Sequence, residues 1–560
     1  IERVQAVPNI ENKSVTVYSW VAPSEIKNNS ETPNLTSKKH DSKSTRIHIT
    51  VREVSTGKIA GEGDCQIGTN NSGKNSKETN GKTKNLINGA AGATKPTAQV
   101  TIPIAQSHLW SPEDPFLYEL EAKSDGDTLK TRFGMRSFKL DPQTGHAVLN
   151  GKPSFMRGSN ITLYRFFEDA DRGNKPWDPT WVRRLHKECR NMHWNTLRYC
   201  IGFPPEFWYK IADEEGILIQ DEFPIWNMDA KKGDYAPKEL ASEYKDWMQE
   251  RWNHPCVVIW DASNETRSAE IAKAITMVRK LDYSNRPWDN GWSLPLLATD
   301  SREQHPYHFQ DPNFKLPQIS TDPGNAGWKQ GESPVIVNEY GWLWLNRDGT
   351  PTALTRELYQ NLLGANASTE ERRELYARLT AAETEFWRCH RSLAAVMHFC
   401  VLGYSRPGNT ESPKSGATSD HWLDVEKLTW EPKFRKYVRD SFAPVGLMID
   451  AWESYYQGGT KKEIPVVVIN DLENDWKGTL RLRIVKIESP GTPNISKSTL
   501  WQEQLPCELP AYGKKTLKFD VAMPPKTGKY QFEATLLDEK ENDAKENAVR
   551  SLRDFIITSP

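Results

Sequence analysis

The sequence predicts a multidomain protein: a (β/α)8 (TIM) barrel flanked by immunoglobulin-like β-sandwich domains. Three observations carry this expectation. From about residue 140 to 456, short apolar strands alternate with amphipathic helices, the grammar of a parallel barrel. Ahead of that stretch, SVTVYSWV and TRIHITVREV alternate apolar and polar residues with the period of two that belongs to half-buried strands. After residue 460 the same alternation returns. At 560 residues the chain is too long for one hydrophobic core, and the patterns divide it into 1–139, 140–456 and 460–560.

In the first domain about seven short strands are expected, closing with FLYELEA and KTRFGMRSFKL. Two stretches, 26–44 and 68–85, are rich in Asn, Ser, Lys and Gly and lack apolar residues, so they read as long hairpin loops. The barrel strands are SFMRGSN, NTLRYC, GILIQDE, CVVIWDASNE, RPWDNG, REQHPYH, PVIVNEYG and AAVMHFCVLGY. Between them, PTWVRRLHKECRNM, PPEFWYKIADEE, APKELASEYKDWMQERW, AEIAKAITMVRKLD and ERRELYARLTAAETEFWRCHRS carry the helical period. The last domain reads as IPVVVINDL, GTLRLRIVKI, KTLKFDVAM, KYQFEATLLD and VRSLRDFII, with turns at Asn470-Asp471 and Thr527-Gly528.

Composition narrows the partners. Lys plus Arg total 73 against 74 Asp plus Glu, so no overall field draws the chain to nucleic acid or an anionic membrane. No apolar run approaches the roughly 20 residues that a membrane-spanning helix needs, so no membrane insertion is expected. The seven cysteines are widely spaced without a C-x-x-C pair, which argues against a disulfide framework or a zinc site. There are 21 Trp, and Trp177, Trp226, Trp292, Trp342, Trp344 and Trp422 fall at strand ends or turns, where flat rings suit the apolar faces of sugars. IERVQAVPNI lacks the pattern of a signal peptide and opens like a strand inside a folded domain, so an upstream segment is expected.

In such a barrel the functional site is built at the C-terminal ends of the strands. Read as a set, those ends supply Arg157, Gly158, Ser159, Asn160, Arg198, Asp221, Glu222, Asn264, Glu265, His305, Tyr307, Asn338, Glu339 and Tyr340, with His398 and a loop bearing Asp420, His421 and Trp422 beyond. Glu265 and Glu339 each follow an Asn, on strands four and seven, which face each other across the mouth. Cleavage of a glycosidic bond needs one carboxylic acid to protonate the leaving oxygen and a second carboxylate at the anomeric carbon. An arginine such as Arg198 would keep the second one ionised. The competing explanation is that each Glu caps the helix that follows it.

At these residues the chain resembles glycoside hydrolase family 2, the β-galactosidase, β-mannosidase and β-glucuronidase group. HLWSPEDPFLYEL followed by TRFGMRSF is similar to the end of its immunoglobulin-like domain, and VLNGKPSFMRGSN to the start of its barrel. WDASNE and VIVNEYGW resemble its two catalytic motifs, which implies Glu265 as acid/base, Asn264 as partner of the substrate's 2-hydroxyl and Glu339 as nucleophile supported by Arg198. Asp221, Glu222, His305, Tyr307, Trp342 and Trp422 are expected to bind substrate. The resemblance implies a retaining exo-β-glycosidase, most like a β-galactosidase, with an oligosaccharide or glycoside as substrate. Alternatives are a β-glucuronidase, a β-mannosidase or a non-catalytic carbohydrate-binding protein. No cofactor or metal is called for. The family's jelly-roll domain has no counterpart here, so an upstream domain or second chain is an expected partner, alongside a homo-oligomer. The expected location is periplasmic or secreted. LNRDG (345–349) departs from the Asn-x-Lys signature of β-glucuronidases.

Overall fold

The computed structural model describes residues 1–21, 46–67, 95–163, 173–320, 329–403, 420–487, 499–538 and 548–559. The loops expected at 26–44 and 68–85 lie outside these residues, as do residues 168–172 of the polar, Trp-bearing stretch that follows the first barrel strand.

Eight parallel strands make the central sheet: β1 (Met156–Ile161), β2 (Thr196–Tyr199), β3 (Leu218–Glu222), β4 (Val257–Asp261), β5 (Trp288–Asp289), β6 (Arg302–Gln304), β7 (Val335–Val337) and β8 (Ala395–Leu402). They are ordered β5-β4-β3-β2-β1-β8-β7-β6, so β8 returns to pair with β1 and the sheet curls into a barrel. β5 and β6, two and three residues long, form no ladder with each other; Ser301 N donates to Trp288 O across that seam at 3.1 Å. β4 is buried along its whole length, as its apolar run requires.

Helices α1 (Pro179–Asn191), α2 (Glu206–Glu215), α3 (Pro237–Arg251) and α4 (Ala269–Val278) follow the first four strands. α5 (Arg356–Leu363) and α6 (Thr369–His390) join β7 to β8, and α7 (Pro432–Ser441) follows β8. Neither α5 nor α7 is expected from the sequence pattern; both are short. The caps explain several starts. Asp178 accepts from Thr180 N at 2.9 Å at the head of α1, Ser268 accepts from Glu270 N at 3.1 Å at the head of α4, and Ser368 with Glu371 forms a capping box on α6.

Seven strands of the first domain pack as a three-stranded sheet (Arg3–Asn9, Ser14–Trp20, Ala98–Pro103) and a four-stranded sheet (Arg46–Glu53, Ile59–Gln66, Tyr118–Ser124, Asp127–Phe133) around one apolar core. The boundary drawn at residue 139 cuts through a strand, Phe138–Asp141, which pairs with His146–Leu149. Phe138, Leu140, Ala147 and Leu149 of this hairpin are buried in the barrel's own core, so the hairpin goes with the barrel. At the other end, the last sandwich takes its first strand earlier than residue 460: Val445–Ile449 pairs with Lys461–Asn470, and Tyr455–Gln457 with Arg550–Thr558. VGLMI is already an apolar strand-forming run, and its side chains share the core of the C-terminal sandwich.

Candidate active site

Inward-pointing residues alternate along a strand, and β2 and β3 turn Arg198, Gln220 and Glu222 into the barrel mouth. Arg198 is fully buried and is the hub. Its Nε donates to Asp261 Oδ2 at 3.0 Å, one terminal nitrogen to Glu339 Oε1 at 2.5 Å and Asn160 Oδ1 at 3.3 Å, and the other to Asn264 Oδ1 at 2.9 Å and to Glu222. A guanidinium suits this place because its planar donors reach several acceptors at once and it stays charged.

Glu339 follows β7. Arg198 holds one of its oxygens, and Tyr307 OH donates to Oε2 at 2.5 Å. Glu265 follows β4 with φ of +45°, a left-handed turn uncommon for a non-glycine residue, and the adjacent Asn264 is bridged to Trp226 of the loop after β3. Trp226 Nε1 donates to Glu265 Oε2 at 3.0 Å, and His305 Nδ1 lies 2.9 Å from Oε1. The same nitrogen lies 3.7 Å from Glu339 Oε2, while His305 Nε2 lies 3.5 Å from Glu303. One carboxylate oxygen of Glu265, one of Glu339 and one nitrogen of His305 all lie within 4.8 Å of one another.

The electrostatics follow from this packing. Burial works to deprotonate His305, but Glu339 and Glu303 outweigh it and hold its imidazole protonated well above the usual range. Burial, reinforced by Glu339, keeps the Tyr307 phenol protonated well above its usual range. Burial also pushes Glu222 and Asp261 up, against the pull of Arg198.

The helix-cap explanation for the two glutamates fails. Ser268 caps α4 after Glu265, and α5, the helix after Glu339, starts only at Arg356. Three other expectations are corrected. Asp221 points out of the barrel, since its neighbours Gln220 and Glu222 point in: it accepts from Tyr209 OH at 2.6 Å and Trp247 Nε1 at 2.8 Å on α2 and α3, and is fully buried. Trp422 is 1% exposed, stacks on Trp430 with ring centroids 3.7 Å apart and donates to Val401 O, so it is wall rather than binding surface. Glu222 is beneath the site as a partner of Arg198, with no exposed surface. Trp342 does stand at the mouth, half-buried, with its ring 5.2 Å from that of Tyr307. Among residues the strand-end set omits, Trp226 offers a ring 43% exposed beside Glu265, and Trp292 sits edge-on to His305 at 6.1 Å. Glu303 is also omitted, though it sits two residues before His305 and so on the same face of its strand.

Comparison with known proteins agrees with this architecture. The family model described as glycosyl hydrolases family 2 matches residues 29–136, and the one described as glycosyl hydrolases family 2, TIM barrel domain, matches residues 142–363. Together they cover more than half of the chain. A β-galactosidase of Oenococcus oeni is 32% identical over 207 residues, 34% of this chain and 19% of that protein. The chain's matches span about a fifth of the length of the curated relatives. Among solved structures, the exo-chitosanase CsxA of Amycolatopsis orientalis superposes with a TM-score of 0.61 at 13% identity, over 99% of this chain and 63% of that one. A β-D-mannosidase of Dictyoglomus thermophilum gives 0.61 at 14% identity, over 99% and 66%. At such identities these structures share the fold. The chain belongs to glycosyl hydrolases family 2.

Proposed function

We propose that the protein hydrolyses terminal β-glycosides with retention of configuration, Glu339 being the nucleophile and Glu265 the acid/base, and that the sugar is a β-galactoside. The carrying observation is the approach of a Glu265 oxygen to a Glu339 oxygen within 4.8 Å. Retaining enzymes hold their carboxyl groups about 5 to 5.5 Å apart, whereas inverting ones need about 6.5 to 9.5 Å to seat a water between them.

The surroundings fit the two roles. Arg198 and Tyr307 each hold one oxygen of Glu339, orienting it for attack on the anomeric carbon. Glu265 protonates the leaving oxygen and then takes a proton from the water that releases the sugar. As Glu339 becomes an ester it loses its charge, and as Glu265 gives up its proton it gains one. His305 lies between them, so its positive charge serves whichever carboxylate is ionised. The aromatic rim of Trp226, Trp292 and Trp342 offers apolar faces to sugar rings. The choice of galactoside rests on the name of the Oenococcus relative.

Substitution separates the roles. Glu339→Gln should abolish turnover of every substrate alike. Glu265→Gln should lose several orders of magnitude on poor leaving groups yet still form a glycosyl-enzyme from dinitrophenyl glycosides, and azide should restore its turnover and yield a β-glycosyl azide. Rescue of neither variant by azide, or equal losses on all leaving groups, would show the assignment to be wrong. A panel of nitrophenyl glycosides, in which the galactoside should be cleaved fastest, tests the sugar.

A further inference from the structure

Beneath the rim, three more carboxylates close on one another. Asp261 ends β4, Asp289 ends β5 and Glu303 is the middle residue of β6; none is more than 4% exposed, and one oxygen from each lies within 4.8 Å of the others. They share no residue with the Glu265–His305–Glu339 group. Asp261 Oδ1 and Glu303 Oε1 receive no N–H or O–H from any described protein group. Two buried amides face the same want. Gln220 donates its Nε2 to Asp261 Oδ2 at 2.8 Å and Asn338 its Nδ2 to Glu303 Oε2 at 3.1 Å, which leaves Gln220 Oε1 and Asn338 Oδ1 beside the cluster, fully buried and without a donor. Buried acceptors without a donor are costly, and here four oxygens share the deficit.

The charges deepen it. Arg198 is already divided among Glu222, Asp261, Glu303 and Glu339. Among the described residues, the donors to Asp289 are neutral, Gly291 N at 3.1 Å and Ser301 Oγ at 2.6 Å. The place in the fold is also telling. Asp261 and Asp289 stand on one side of the β5–β6 seam and Glu303 on the other, at the gap the sheet's ladder leaves open.

We propose that Asp261, Asp289 and Glu303 bind one hard divalent cation of calcium's size, which staples the open seam of the barrel. An all-oxygen ligand set selects a hard ion. Carboxylate oxygens within 4.8 Å of one another can surround an ion with bonds of about 2.3 to 2.6 Å, the range of calcium. The rival account is that the acids share protons and hold no metal.

The test uses the full chain and does not depend on its activity. After incubation with calcium and desalting, elemental analysis should find about one equivalent retained. Thermal unfolding should shift upward by several degrees with millimolar calcium and fall with a chelator. Terbium should bind in calcium's place and emit on excitation of tryptophan, since Trp288 adjoins Asp289. Asp289→Asn and Glu303→Gln should each abolish metal retention and terbium emission and make the melting temperature indifferent to calcium. A wild-type protein that keeps no metal and ignores both calcium and chelator overturns the proposal in favour of shared protons. So does stoichiometric calcium that both variants retain. Should a variant fail to fold, the wild-type stoichiometry and calcium response still decide.

Discussion

Trp226 and Tyr307 divide the work of holding the two glutamates, and the division can be measured. Trp226 donates to Glu265 and Tyr307 to Glu339, each through a single hydrogen. Trp226→Phe keeps a ring at the rim and removes only the N–H, so its cost should grow with the basicity of the leaving group, reaching about tenfold in kcat/KM for poor ones. Tyr307→Phe should instead cost about ten- to a hundredfold whatever the leaving group, because a hydrogen bond to the nucleophile's charge is lost in every case. Leaving-group plots of both variants check this; matching slopes would reverse the division. At this scale the sequence was legible where residue type and strand end coincide, as at Glu265, Glu339 and Arg198. It was misleading where direction matters. Asp221 and Glu222 are neighbours, yet one faces the helices and the other the arginine.

Elements are tied together by ionic contacts at their ends. His254, just before β4, lies 2.5 Å from Asp213 of α2 through Nδ1 and 3.1 Å from Glu206 through Nε2. Burial works against its charge, but Asp213 and Glu206 outweigh burial and push its pKa up to about 9 from an ordinary 6.5. A raised pKa adds stability that is fully present below 6.5 and is lost as pH rises through about 9. The shift caps that contribution at about 3 kcal/mol. His254→Gln should therefore lower the melting temperature by several degrees near pH 6, and its deficit should shrink above about pH 9. Calorimetry of both proteins at the two pH values tests it; an equal deficit at both would mean packing, not charge. The sequence marks most helices and strands through period and capping residues, but nothing in a three-residue β6 or a two-residue β5 announces that these strands leave a seam.

At the scale of the molecule, the C-terminal sandwich is locked to the barrel by Asp471. It lies in the turn after Lys461–Asn470 and is met by Arg157 of β1 at 2.8 Å, Arg388 of α6 at 2.7 Å and Arg391. Burial would raise its pKa, but Arg391, Arg388 and Arg157 together hold the carboxyl well below the usual carboxylate range. A depressed pKa gives stability that is present above about 3.8 and drains as pH falls below it. Asp471→Asn takes from two buried guanidiniums, Arg157 and Arg388, and from the partly buried Arg391 the carboxylate they share, and should cost about 3 to 5 kcal/mol at neutral pH. In denaturant, the sandwich should then unfold apart from the barrel, as a second transition absent from the wild type. A single unchanged transition would show that the apolar contacts alone hold the domains together.

The sequence by itself determined the barrel between two sandwiches and the two catalytic candidates, because both rest on local patterns: hydrophobic period, and a polar residue at the end of a buried strand. Periodicity also marked the first sandwich, though the hairpin at residue 138 and the early strand at 445 attach to neighbours that no local pattern names. Only the tertiary structure decided which acids converge. Asp261, Asp289 and Glu303 come from three strands, and their approach depends on how the barrel curls, a long-range outcome of packing. It likewise decided that Trp422 fills a wall while Trp226 reaches Glu265, since two tryptophans in loops are alike in sequence and differ only in what surrounds them.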